Sequence, residues 1–391
     1  MNFDLTDEQK MARDTAREFA KKRLAPVAQK LDEEEHTPRE LYAEAAELGL
    51  FGILMPEEYG GLGLDHVAYC LVMEEIARAC AGFQVCLTVH NSLVSTAILK
   101  FGTDEQKKRW LPKLASGEWI AAYSLSEPGA GSDAGSLRCS AALEGDHYRL
   151  NGTKSWISSA DVADLFLVFV LTDPALKSRG VSCLVIERNT PGLSVGKKEK
   201  KLGIRSSSTN ELHFADAKVP AKNLIGVPNE GFKVALTQLD GGRMGIAAQA
   251  VGIAQAAFDE AVSYSRQRQQ FGKSLTDFQA TQFKLADMSM KIDAARLLTL
   301  RAASLLDEGK RATREASVAK LFASETANAV ATQALQLHGG NGYIREFPVE
   351  RYFRDARITE IYEGTSEIQR LVIAREVLKE AAEAAPAPAA R

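Results

Sequence analysis

With 391 residues, 45% of them hydrophobic, the chain is long enough for two or three domains with substantial cores. Its net charge of -3 arises from 48 basic and 51 acidic side chains that are interspersed, which argues against a nucleic-acid binder or a basic membrane-surface protein. No apolar run reads as long enough to span a bilayer, so no membrane insertion is expected. The five cysteines, Cys70, Cys80, Cys86, Cys139 and Cys183, are odd in number and include no CxxC pair. They read as reduced, buried side chains, and no metal site is expected. The N-terminal MNFDLTDEQK lacks both the basic start and apolar core of a signal peptide and the basic character of a transit segment, so a cytoplasmic location is expected.

Residues 1–120 read as a helical domain. Thr6 and Gln9 form a capping-box pattern, and helical spacing runs to Leu24 before Pro26 stops it. Thr37-Pro38-Arg39-Glu40 repeats that signature with proline at the first helical position, and Gly49 follows the end. Asp65 opens a third helix. Phe83 to Phe101 reads as a buried helix carrying His90, a satisfied core histidine. Thr103 caps the next helix. The Gly60-Gly61-Leu62-Gly63 run follows no strand and lacks a full G-x-G-x-x-G, so it reads as a turn.

Near Ala121 the texture becomes β-rich, and 121–228 reads as a middle domain. Val168 to Val170, Val181 to Ile186 and Glu211 to Phe214 are strand candidates, and Asn151-Gly152 reads as a two-residue hairpin turn. The spacing of turns points to an antiparallel barrel or sandwich. From 229 to 383 the helical period returns in four long segments: Phe232 to Arg266, Thr276 to Leu306, Glu315 to Leu337 and Thr365 to Ala382. These imply a four-helix bundle. The first carries Gly241-Gly242 in mid-helix, at a cost of about 1 kcal/mol each relative to alanine, which suggests close approach of another group. The Ala/Pro-rich 384–391 reads as a disordered tail.

The segment Ile361-Tyr362-Glu363-Gly364-Thr365-Ser366-Glu367 places a carboxylate before a glycine hinge and a helix start, with Thr365 or Ser366 as N-cap. Read alone, it fits an exposed surface glutamate beside a helix start better than a catalytic one, because turn-plus-cap patterns are common. IYEGTSEIQRL does not stand alone. Together with AYSLSEPGAGSD (Ala122 to Asp133), GTKSWIS (Gly152 to Ser158), RQQFGKSL (Arg268 to Leu275) and QLHGGNGY (Gln336 to Tyr343), in that order, it resembles the acyl-CoA dehydrogenase family, nearest to its short-chain, butyryl-CoA type. The resemblance covers nearly the whole chain.

That resemblance implies FAD between the middle domain and the bundle. Tyr123, Leu125, Ser126, Gly131 and Ser132 should line the flavin and its phosphates, and Trp156, Ile157 and Ser158 should abut the ring. Trp156 also fits a core aromatic of the barrel. Arg268 should pair with the pyrophosphate, since a guanidinium offers bidentate donors to phosphate. Phe271, Gln279, Gln336, Leu337, Gly339 and Gly340 belong to the same cofactor set, with Arg268, Gln279 and the Gln336 segment reaching the FAD of a neighbouring subunit. Thr365 and Glu367 complete the cofactor set. A homodimer, packed as a tetramer of two dimers, is therefore implied.

The implied substrate is a fatty acyl-CoA, contacted by Ser132, Asp240, Arg243, Tyr362 and Gly364. Glu363 is the implied base for the α-proton, its pKa raised by burial. The expected product is trans-2-enoyl-CoA, with electrons passed to an electron-transferring flavoprotein. Isovaleryl- and long-chain-type members place their base at the position of Gly242, which leaves Glu363 as the candidate. A glutaryl-type substrate is disfavoured because no arginine lies within Cys80 to Val89. Branched-chain or aromatic acyl-CoA dehydrogenation, or an oxidase on the same fold, remains an alternative. A non-enzymatic binding relative is a remote one.

Overall fold

The computed structural model describes residues 4–384. The chain opens with α1 (Asp7–Phe19), started by a reciprocal capping box. The Thr6 side chain accepts from the Gln9 amide at 3.2 Å, and Gln9 Oε1 accepts from the Thr6 amide at 3.0 Å. A wide turn, Ala20–Leu24, extends it. Then come α2 (Ala28–Glu34) and α3 (Arg39–Glu47). Pro38 is not the first helical residue, as its motif suggested. It is extended (ψ 146°) at the N-cap, and the Thr37 hydroxyl caps nothing, donating instead to the Ser206 carbonyl at 3.0 Å. Asp65 caps α4 (His66–Ala79) through the Ala68 amide at 2.7 Å.

Next, α5 (Ala81–Thr88), a wide turn Val89–Ser95 and α6 (Thr96–Phe101) form one continuous rod. This corrects the reading that no apolar run could span a bilayer: the 21-residue rod contains an 18-residue window with a mean hydropathy of 1.2, enough by length and composition. However, 89% of that window is buried inside the protein, as in a core helix. His90 within it is fully buried and satisfied at both ring nitrogens, by the Leu114 carbonyl at 3.0 Å and the Ala121 amide at 3.1 Å. α7 (Asp104–Ala115) follows, capped by Thr103.

The sheet comprises β1 (Ala121–Ser124), β2 (Ser140–Glu144), β3 (His147–Ser158), β4 (Leu165–Leu171), β5 (Val181–Glu187), β6 (Leu193–Lys198), β7 (Thr209–Pro220) and β8 (Leu224–Ile225). Its order is β6-β7-β3-β2-β4-β5-β8, mostly antiparallel, with β1 added parallel to β4. Asn151-Gly152 is not a hairpin turn. It lies inside β3 at a bulge against β7, and the β2–β3 hairpin turns at Gly145-Asp146. Gly152 is required there by crowding: a Cβ would sit 2.8 Å from Cys139 Cα.

The apolar runs of β4 and β5 have a structural cause. Leu165, Leu167 and Phe169 face the core shared with the helices, while Phe166, Val168 and Val170 face a second core within the sheet. A strand buried on both faces needs apolar residues at every position. β1 and β4 thereby lock the sheet to the helical core.

The remaining chain forms α8 (Gly231–Gln267), a hairpin of β9 (Gln269–Gln270) and β10 (Lys273–Ser274), α9 (Gln279–Asp307), α10 (Thr313–His338), α11 (Val349–Ile358) and α12 (Ser366–Ala384). α9 starts three residues later than its pattern suggested, because a short turn, Leu275–Asp277, precedes it. α11 was not anticipated. α8 packs along α10, α9 and α4 and is the central rod of the protein. All five cysteines are buried and free. Ala384 ends α12, and the rest of the expected tail lies outside the described residues.

Candidate active site

The loop from α11 into α12 carries Tyr362, Glu363, Gly364 and Thr365. Glu363 and Gly364 are both left-handed, at φ 55° and 90°. For a non-glycine residue that conformation is costly and persists only when the surroundings hold it. The holding groups come from three helices. Thr365 caps α12, accepting from the Ile368 amide at 3.3 Å. Gln369 Nε2 donates to the Glu363 carbonyl at 2.9 Å and the Gly364 carbonyl at 3.0 Å. Lys320 on α10 donates to the same Gly364 carbonyl at 2.8 Å. The Tyr362 hydroxyl donates to Gln249 Oε1 on α8.

So held, the Glu363 carboxylate is pressed against α8 at Gly242. A Cβ there would lie 2.7 Å from Glu363 Oε2 and 2.9 Å from Leu93 Cδ2, which is the close approach the mid-helix glycine pair implied. Glu363 Oε2 is buried and has no hydrogen-bond partner among the described residues. Burial pushes its pKa up to about 7, against the pull of the Arg243 and Lys320 cations.

Beside the loop opens a cleft of about 1290 Å³, walled by Thr96, Leu236, Asp240, Gly241, Arg243 and Arg311 among others. Arg243 is nearly buried and donates to Asp240 at 2.9 Å, and Asp240 also accepts from the Thr313 hydroxyl at 2.7 Å. Of the five expected substrate residues, Asp240 and Arg243 line the cleft and Tyr362 and Gly364 flank Glu363 in its loop. Ser132 sits apart from the cleft lining, on the exposed loop after β1.

The expected cofactor residues fall into two groups. In the first, Tyr123 and Leu125 are half-buried, with Tyr123 packed on Phe169 (centroids 5.1 Å). Ser126 ties its loop to β3, its carbonyl accepting from the Ser155 amide at 2.9 Å. Gly131 and Ser132 are exposed, and nothing lies within 4 Å of a Cβ built at Gly129 or Gly131. Trp156 is no core aromatic. A bulge between Lys154 and Ile157 puts it at φ 64° with 64% of its surface exposed, while Ile157 turns into the sheet core and Ser158 stays half-buried. An open glycine loop beside an outward indole, with the hydroxyls of Tyr123 and Ser124 buried and unpartnered among the described residues, fits a flat, hydrogen-bonding cofactor.

The second group lies at the far end of α8. Arg268, Phe271, Gln279, Gln336, Gly339 and Gly340 are exposed there, and Leu337 is half-buried. His338 stacks on Tyr264 (4.2 Å) and Asn341 donates to the Tyr264 hydroxyl at 2.9 Å, which joins the end of α10 to the end of α8. Arg268 is about 26 residues, or about 39 Å, along α8 from Gly242. Thr365 caps α12 at the end of the Glu363 loop, and Glu367 is exposed on its first turn.

Four supporting residues escaped the sequence reading: Lys320, Gln369, Glu127 and Lys154. Lys154 Nζ is fully buried, 2.8 Å from Glu127 and 2.9 Å from the Leu125 carbonyl, and Glu127 also accepts from the Arg138 and Cys139 amides. The pair pins the loop under Leu125 to Ser132. Both lie inside quoted motif strings, where a charged residue among small ones was the available signal. Lys320 had no such signal. No cluster of three or more metal-binding side chains occurs among the described residues.

Helical, β-sheet and helical parts that meet near a half-buried glutamate, one oxygen of which is buried and unpartnered among the described residues, beside a cleft suit an enzyme that takes a proton from a bound ligand. Family models described as acyl-CoA dehydrogenase N-terminal, middle and C-terminal domains match residues 6–118, 122–217 and 229–378. The chain belongs to the acyl-CoA dehydrogenase family and is an FAD-dependent oxidoreductase. It is 52% identical over 378 residues to the short-chain specific acyl-CoA dehydrogenase, mitochondrial, of Bos taurus, covering 97% of this chain and 92% of that protein. Butyryl-CoA dehydrogenase from Megasphaera elsdenii superposes with a TM-score of 0.95 at 45% identity, over 97% of this chain and 100% of that one. A structure described as the electron transferring flavoprotein of Acidaminococcus fermentans gives 0.96 at 46% identity, again over 97% and 100%.

Proposed function

We propose that the enzyme oxidises a short-chain fatty acyl-CoA to trans-2-enoyl-CoA, with Glu363 taking the α-proton. The observation that carries this reading is the half-buried Glu363, whose Oε2 is buried and unpartnered among the described residues and whose pKa is pushed up to about 7. A base with that pKa is half ionised near neutral pH and strong enough to accept a weakly acidic proton. Bound FAD supplies the acceptor for the hydride that leaves the β-carbon. The chain supplies the rest. The Glu363 backbone N–H makes no hydrogen bond to any described residue and is the donor we assign to the thioester oxygen, lowering the cost of the enolate-like charge. Asp240 and Arg243 line the path of the CoA arm.

A short acyl chain is favoured by what lies behind the loop. From the Tyr362 hydroxyl, Gln249, Gln84 and Thr88 run as a buried hydrogen-bonded file, with 2.8 Å between the two glutamines. Such a polar interior is a poor berth for a long hydrocarbon tail. The file includes no cation for a second carboxylate.

The proposal assigns Tyr123, Leu125, Ser126, Gly131, Ser132, Trp156, Ile157, Ser158, Thr365 and Glu367 to the FAD of their own chain, with Ile157 contributing backbone only. Arg268, Phe271, Gln279, Gln336, Leu337, Gly339 and Gly340 are assigned to that of a second copy. The distance along α8 supports this split and hence a dimer, packed as a tetramer. The domain division at 120 and 228, an electron-transferring flavoprotein as acceptor, and a cytoplasmic, thiol-reducing compartment belong to the same proposal.

An anaerobic titration with butyryl-CoA, followed by visible flavin absorbance, tests it. The enzyme should bleach, and Glu363→Gln should bind FAD and butyryl-CoA but bleach at least about 10³-fold more slowly. Near-normal turnover of Glu363→Gln would sink the assignment.

A further inference from the structure

We propose that Lys320 is a positioning residue for this reaction: it holds the Gly364 carbonyl and adds, beside Arg243, a buried positive charge without an ion pair that lowers the pH at which Glu363 can accept a proton. The inference rests on Glu363 being the base, and it goes beyond that assignment by naming what tunes it.

Lys320 lies in the middle of α10 with none of its surface exposed. Among the described residues no carboxylate comes within 4.0 Å of its ammonium, whose hydrogen bond goes to the Gly364 carbonyl at 2.8 Å. Lysines are almost never fully buried unless paired, because the charge loses its hydration without compensation. The opposite charges that face it are Glu363, Glu360 and Glu367, all on the base loop or its flanks. A buried cation without an ion pair and a buried carboxylate oxygen without a donor thus sit on two sides of one short loop.

Titratable or charged groups face Glu363 from five places, while the Val89–Ser95 turn and α12 present the uncharged Leu93 and Gln369. Tyr69 comes from α4, Tyr123 from β1, Arg243 from α8, Lys320 from α10 and Tyr362 from the loop itself. The three phenols are neutral at working pH, since burial pushes each of them up. Two cations remain, and they are not equivalent. Arg243 exerts the larger pull on Glu363, but it is also paired with Asp240 at 2.9 Å. Lys320 has no such partner among the described residues; burial lowers its pKa to about 8, so it is charged across the acidic limb, where its field is the second to act on the base. Its hydrogen bond has a second effect: with Gln369 it fixes the Gly364 carbonyl, which keeps Glu363 and Gly364 in their left-handed conformations and the carboxylate against Gly242.

Lys320→Gln separates the two effects, because an amide can still donate to the Gly364 carbonyl but carries no charge. Lys320→Arg keeps the charge. The readout is the rate of flavin reduction by butyryl-CoA in FAD-loaded full-length enzyme from about pH 5.5 to about 9, with FAD content and thermal midpoint measured alongside. Lys320→Gln should retain FAD and move the acidic limb of the profile up by about one pH unit, since loss of a facing cation raises the carboxylate pKa. Lys320→Arg should leave the limb within about 0.3 unit of the parent. A limb unmoved in Lys320→Gln that has kept its FAD and thermal midpoint overturns the proposal. Glu363→Gln in the same series keeps the two readings apart. If that variant is inactive while the Lys320→Gln limb is unmoved, only the role of Lys320 falls. If it is active, the base assignment falls and takes this inference with it.

Discussion

One added methyl group at Gly242 should separate stability from activity. In the middle of α8, alanine in place of glycine is worth about 1 kcal/mol in helix propensity. The new Cβ would lie 2.7 Å from Glu363 Oε2 and 2.9 Å from Leu93 Cδ2. Normal contact starts near 3.4 Å, so the carboxylate must retreat by about 0.7 Å. Both clashing atoms are ends of flexible side chains, so the retreat should roughly cancel the propensity gain and leave stability within about 1 kcal/mol of the parent. Catalysis is less forgiving: displacing a reacting group by about 1 Å costs on the order of 10²-fold, or about 2.7 kcal/mol of barrier. Gly242→Ala should therefore keep its FAD and its thermal midpoint while kcat/KM for butyryl-CoA falls about 100-fold. Activity within about threefold of the parent would show that the carboxylate beside Gly242 is not the reacting group.

Two further outcomes follow from buried charge. Burial raises the Glu363 pKa to about 7 in the folded state from an ordinary 4.5, so its protonation favours the fold. That contribution is fully present below about pH 4.5 and is lost as pH rises through 7, by at most about 3 kcal/mol. Glu363→Gln should accordingly be more stable than the parent at pH 8 and equal to it near pH 4.5, by thermal unfolding; a constant difference across that window would refute the origin of the shift. Removing one partner of the Glu127–Lys154 pair strands a buried charge, so Glu127→Ala should cost about 3–5 kcal/mol and loosen FAD, and adding Lys154→Met should recover most of the stability. A loss under about 1 kcal/mol on denaturant unfolding would mean that water reaches the ammonium.

What was legible in the sequence was governed by neighbours in the chain. The caps at Thr6, Asp65, Thr103 and Thr365 could be read because a side-chain oxygen and the amide it caps are three residues apart. The family motifs and the alternation between Gly242 and Glu363 were equally visible, and they carried the enzyme class and its cofactor. Local rules failed where a distant partner decided. Asn151-Gly152 has turn chemistry, yet pairing with β7 and crowding by Cys139 hold it inside a strand. The Ala81–Phe101 rod has the length and hydropathy of a membrane span, and only the packing around it makes it a core helix.

The sequence by itself thus determined which residue bears the carboxylate, and the tertiary structure alone decided what that carboxylate is. Glu363 becomes a buried, raised-pKa group because Gly242 makes room for it, Arg243 faces it from α8 and Lys320 holds its loop from α10. No periodicity or motif links Lys320 to that loop. Lys320 and Gly364 are 44 residues apart in the chain, and the hydrogen bond between them exists only once the helices have packed. Hydrogen bonding between close neighbours leaves its mark on a short stretch of sequence. Desolvation and the field of a distant cation depend on where the whole chain puts its surfaces.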